Sequence, residues 1–92
     1  MIKSFKCSET ERLFNEERVG QWQQIESVAL RKLTMVHAAA SLEDLKVPPG
    51  NKLHKLNKDR DDQVAIWIND KYRVCFEFRE GDAYNVEIVD YH

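Results

Sequence analysis

Glycine and proline are scarce in this chain, with three and two among 92 residues. Gly20, Gly50 and Gly81 stand far apart, so there is no glycine-rich phosphate loop and no nucleophile elbow. The two cysteines, Cys7 and Cys75, form no CxxC pair, and the histidines are too scattered for a zinc motif. Two buried or half-buried thiols are expected rather than a disulfide, with no metal and no cofactor. No apolar run reaches the length of a signal peptide or of a membrane-spanning helix. A cytoplasmic protein with no membrane partner is therefore expected. Excess positive charge is also missing. Residues 1–50 carry seven Lys+Arg and seven Asp+Glu, residues 51–92 seven and nine, and the net charge is −2. The charge balance gives no support to RNA binding by bulk charge, which would need a local arrangement of Lys and Arg.

What is present is concentrated after Asn51. Val64, Ile66 and Ile68 alternate with Ala65, Trp67 and Asn69. Tyr72, Val74, Phe76 and Phe78 alternate with Arg73, Cys75, Glu77 and Arg79. Tyr84, Val86 and Ile88 alternate with Asn85, Glu87 and Val89. Three such period-two runs predict three antiparallel strands with one apolar and one wet face. Asn69-Asp70, which tolerates positive φ, and Glu80-Gly81-Asp82 are the expected turns. Alternation puts Ala65, Trp67, Arg73 and Tyr91 on the wet face and Asp90 and His92 opposite.

Upstream, residues 2–6 read as a short strand. Ser8 with Glu11 makes a capping box for a short helix using Leu13 and Phe14, and Glu16–Gly20 is a loop. A longer helix is expected from near Trp22, because Trp22, Ile25, Ala29, Leu33, Val36 and Ala40 form one stripe. Trp22 and Met35 are expected to pack, Lys32 lies off the stripe, and His37 reads as structural or solvated. Ser41–Leu45 is another capped turn, and Pro48-Pro49 ends helical structure. Lys52–Asn57 reads as a second strand and Asn57–Asp62 as a charged loop. The expectation is a single α+β domain over 1–92. Two N-terminal helices pack on one face of a mainly antiparallel sheet of about five strands.

Several segments together carry a family resemblance. The chain opens Met1-Ile2-Lys3-Ser4-Phe5, continues with Lys52-Leu53-His54-x-Leu56 and Asp59-Arg60, and has an aromatic before Arg73. It then has Gly81-Asp82-Ala83-Tyr84 and closes Asp90-Tyr91-His92. In these it resembles the HigB toxins of the RelE-like superfamily, across nearly the whole chain. The resemblance implies a type II toxin: a ribosome-dependent endoribonuclease that cuts mRNA in the A site and inhibits translation. It also implies a HigA-type helix-turn-helix antitoxin as partner, with operator DNA reached only through that antitoxin.

Metal-free RNA cleavage must deprotonate a 2′-OH, stabilise a phosphorane-like charge and protonate the 5′-oxygen. His, Asp and Tyr move protons, and Arg or Lys holds charge. The resemblance assigns acid–base work to His54, Asp90, Tyr91 and His92, and the scissile phosphate to Arg73. Read as the terminal residue, His92 has an α-carboxylate beside its imidazole, which favours imidazolium. Lys55, Lys58, Arg60 and Lys71 are candidates for contact with RNA or ribosome, and Trp67 for base stacking.

Some positions depart from the family pattern. Leu56-Asn57-Lys58-Asp59-Arg60-Asp61-Asp62 stands where relatives have L-K-G-x-R-x-G, Ala65-Ile66-Trp67 where they have S-I-R or S-I-T, and Tyr72 where Trp is common. These departures predict weak or codon-shifted cleavage. They also support an alternative: a catalytically weakened homologue that serves as an antitoxin-binding, co-repressing module.

Overall fold

In the computed structural model the described residues are 1–57 and 60–90, and of residues 57 and 60–62 only the backbone is described. Two helices, α1 (Ser8–Phe14) and α2 (Glu26–Ala38), precede four strands: β1 (His54–Asn57), β2 (Arg60–Trp67), β3 (Tyr72–Arg79) and β4 (Asp82–Asp90). The strands form an antiparallel meander in the order β1-β2-β3-β4. Both helices pack on one side of it, against β3 and β4. This is the expected α+β arrangement.

The helices start later or are capped differently than expected. The N-cap of α1 is Cys7, whose Sγ accepts the Thr10 N–H at 3.4 Å, in place of a Ser8 box. Glu9 and Glu11 complement the positive end of its dipole. Gly20–Trp22 forms a separate 3₁₀ turn, and α2 begins only at Glu26. Trp22 and Ile25 are still buried, so the stripe is right although its first turn is not α-helical. Ala29, Leu33 and Val36 are fully buried against Val64, Ile66, Val74, Val86 and Ile88. Each large aliphatic group contributes about 1.5–3 kcal/mol by leaving water. The stripe ends before the exposed Ala40, where the N–H groups of Ala40 and Ser41 turn to Asp44 Oδ2 at 2.9 and 3.3 Å.

The fifth strand is reduced to two parallel bridges, Ile2 with Ala83 and Phe5 with Val86. Between them β4 bulges. Cys75 faces Glu87 but Glu77 faces Tyr84, so Asn85 and Val86 together oppose Phe76. Asn85 sits at φ 54, and its N–H is taken by the Ser4 hydroxyl instead of a ladder carbonyl. The bulge also overturns the expected alternation. Tyr84 lands on the face away from the helices, under the guanidinium of Arg79 at 4.2 Å, while Ala83 is buried in the core.

The turns follow local chemistry. Glu80 and Gly81 both have positive φ, as a two-residue primed hairpin requires. Asn69 instead acts through its side chain: Oδ1 accepts the N–H groups of Lys71 and Tyr72 at 2.9 and 2.8 Å, and neither Asn69 nor Asp70 has positive φ. Of the expected loop over Asn57–Asp62, the described residues are strand, since β1 runs to Asn57 and pairs it with Arg60 at the start of β2, and residues 58 and 59 lie outside the described residues. His37 is structural: its Nδ1 accepts the Ile2 N–H at 3.1 Å and its ring lies 5.3 Å from Phe14.

Candidate functional site

The sheet face turned away from the helices carries the candidate residues in cross-strand rows. One row runs His54, Ala65, Cys75 and Glu87 across the four strands. The next contains Trp67, Arg73 and Val89. Continuing the β1–β2 register two residues towards the chain start sets Lys52 beside Trp67. The side chains agree, because Lys52 Nζ lies 3.8 Å from the Trp67 ring centre and the Arg73 guanidinium carbon 4.7 Å from it. His54 and Arg73 therefore share a face, on strands separated by β2.

Arg73 is fixed by its own hairpin. Its Nη1 donates to the Asn69 carbonyl at 2.5 Å and to the Tyr72 carbonyl at 3.0 Å. The guanidinium is thereby folded over the β2–β3 turn and laid on Trp67. His54 is exposed, with Nδ1 at 3.4 Å from the Lys52 carbonyl.

Other candidates go elsewhere. Asp90 pairs with Tyr72, which puts it on the opposite side of the sheet from Arg73, where Lys71 Nζ reaches its carboxylate at 3.7 Å. Beside this pair a groove of about 390 Å³ opens between residues 20–25 and the β2–β3 turn, lined by Gln21, Gln24, Asn69, Lys71 and Tyr72 among others. Lys55 pairs with Val64 and lies on the helix side, near Leu42 and Leu53. Arg60 heads β2 opposite Asn57, and its side chain is outside the description. Lys58, Tyr91 and His92 lie outside the described residues.

Electrostatics divide the outer face. Past Arg73, Glu87 pairs with Lys6 at 3.5 Å, and Glu77 with Arg79 at 2.6 Å and with Asn85 at 3.1 Å. Cys75 lies between these ends, and burial, with Glu87 second, pushes its thiol up to about 11 despite Arg73 and Lys6. It is a packing thiol and a poor nucleophile. Among the described residues no three His, Cys, Asp or Glu side chains gather to hold a metal ion. Lys52 was not a sequence candidate. Its signal, a lysine two residues before His54 after a Pro-Pro-Gly turn, gains meaning only from the register.

A meander with helices on one face and an Arg73-centred row on the other defines the class. Over residues 3–92 the chain matches the family described as RelE-like toxin of type II toxin–antitoxin system HigB, and it belongs to that family. Among its relatives is "Toxin HigB-1" of Vibrio cholerae, 36% identical over 61 residues, which are 66% of this chain and 64% of that protein. Another is "Endoribonuclease HigB" of Proteus vulgaris, 42% identical over 41 residues, 45% of each chain. The chain thus spans less than two thirds of the length of these curated relatives. Among the described residues no helix is long and apolar enough to cross a membrane.

Proposed function

We propose that this protein is an endoribonuclease toxin that cuts mRNA in the ribosomal A site without a metal, and that a HigA-type helix-turn-helix antitoxin neutralises it. Operator DNA is reached through that antitoxin, and the place of action is the cytoplasm. Family membership and the name of the Proteus vulgaris relative support the reading. The observation that carries it is Arg73, held by two turn carbonyls on the same sheet face as His54.

In this mechanism Arg73 holds the scissile phosphate and stabilises the charge that develops on it. A guanidinium already pinned by its hairpin loses little freedom on meeting that phosphate. His54, Tyr91 and His92 form the acid–base group, with Asp90 left outside it by its place across the sheet beside Lys71: one of the three takes the 2′-OH proton as the oxygen attacks phosphorus, and another gives a proton to the departing 5′-oxygen. Ribosomal presentation supplies the in-line geometry, so cleavage of free RNA is slight. Lys55, Lys58, Arg60 and Lys71 contact RNA or ribosome.

Primer extension on mRNA held in ribosomes tests this. Wild-type protein should cut in the A-site codon, and Arg73→Ala should slow cutting by about 100-fold or more. The second reading, an antitoxin-binding module with weakened catalysis, is favoured by Asp90 lying across the sheet from Arg73 and pairing with Lys71. It predicts no growth arrest on expression of the toxin alone, whereas the enzyme predicts arrest that His92→Ala abolishes.

A further inference from the structure

The cations that face Trp67 arrive by unrelated routes. Arg73 comes from β3 and is tied to the adjacent turn. Lys52 lies just before β1, with its backbone in the left-handed region at φ 47 and ψ 49. A residue with a Cβ rarely adopts that conformation, and its neighbour explains why it persists. Asn51 is fully buried, accepts from Lys32 Nζ and donates to the Leu45 carbonyl at 3.1 Å. The core therefore anchors the backbone from which Lys52 extends over the indole. An indole attracts cations through its quadrupole, so Trp67 gathers both charges where direct contact between them would repel. Among the described residues, Glu77 and Glu87 on the rest of this face are paired with Arg79 and Lys6. The positive end is thus local, in a chain whose net charge is −2.

We propose that Trp67 is a positioning residue that holds Lys52 and Arg73 together as a two-cation cradle for neighbouring phosphates of single-stranded RNA. This rests on the endoribonuclease reading and adds two residues to it. Lys52 is a phosphate contact. Trp67 acts through the cations it carries, in place of the base-stacking role expected from sequence.

The test is binding of a fluorescein-labelled, uncleavable 2′-O-methyl oligoribonucleotide by anisotropy across a salt series. Each phosphate contact on a single strand contributes about 0.7 to the slope of log affinity against log salt. Lys52→Gln is expected to lower the slope by about that amount. Trp67→Leu should lower it as well although both charges remain, and Trp67→Phe, which keeps an aromatic face, should restore most of it. An unchanged slope in Lys52→Gln overturns the cradle. Weaker binding at unchanged slope in Trp67→Leu also overturns it and makes Trp67 a base platform. If Trp67→Leu fails to fold, Lys52→Gln and Trp67→Phe decide, the latter by keeping or losing slope. Wild type that ignores the oligonucleotide yet cuts in ribosomes overturns the cradle and leaves the function standing. Wild type that does neither overturns both.

Discussion

Lys32 Nζ donates to Asn51 Oδ1 at 2.5 Å, with Lys32 only 7% exposed and Asn51 not exposed at all. A lysine off the apolar stripe of α2 is thus an internal strut, joining that helix to the turn that leads into β1. Asn51→Ala should leave a buried ammonium and the Leu45 carbonyl without this partner. The expected loss is about 3 kcal/mol in urea unfolding, more than an average substitution.

The same lysine predicts a pH dependence. Burial, and secondarily Arg31, lowers its pKa below the usual 10.5, so the unfolded chain binds more protons between the two values. Stability tied to Lys32 therefore increases as pH rises towards 10.5 and falls as pH drops through the native pKa. Wild type should gain stability relative to Lys32→Met over the alkaline range. A constant difference between the two would show that the ammonium is fully solvated in the native protein.

Thr10 ties α1 to β4, because its buried hydroxyl accepts the Ile88 N–H at 3.0 Å. Thr10→Val keeps the shape and removes the acceptor. It should cost about 1–3 kcal/mol, and Thr10→Ser should recover most of that. Urea denaturation of the three proteins is the check.

At the β4 bulge, Asn85 holds φ 54 and its side chain donates to Glu77. Asn85→Val forces a β-branched residue into the left-handed region and should lose about 1–2 kcal/mol. Asn85→Gly gives up the side-chain bond but relaxes the backbone, and should stay within about 1 kcal/mol of wild type. Valine tolerated as well as glycine would show that the left-handed backbone at residue 85 carries no cost.

Cys75 should be slow to alkylate in the native protein at pH 9 and fast in urea. Its thiol is pushed up to about 11 by burial and by Glu87, against 9.0 for an ordinary one. The native state then binds more protons between these values, so stability should fall as pH climbs from 9 towards 11. Cys75→Ala should remove that part of the decline. Equal alkylation rates in native and unfolded protein would contradict the burial.

The alternating runs from Val64 and Tyr72 were legible because a strand's inward face repeats every two residues whatever its partners are, and the run from Tyr84 held only after the bulge, at Val86 and Ile88. The Ala29, Leu33 and Val36 stripe was legible for the matching reason at 3.6 residues. Trp22 shows the limit of such patterns, since a 3₁₀ turn followed by a helix can bury the same side chains as one longer helix. Of the candidates that the family resemblance named, His54 and Arg73 share the outer face, whereas Asp90 lies across the sheet, a difference set by strand register.

The sequence by itself determined the helix-then-strand order, the apolar face of the runs from Val64 and Tyr72 and the short turn at Gly81, all of which depend on near neighbours in the chain. Only tertiary structure decided that Asn85 bulges, that Lys32 turns inward to Asn51, and that Lys52 and Arg73 meet on Trp67. Each of those depends on cross-strand register or on a loop anchored across the core. Register and anchoring are set by the packing energy of the whole domain, which no local pattern of residues encodes.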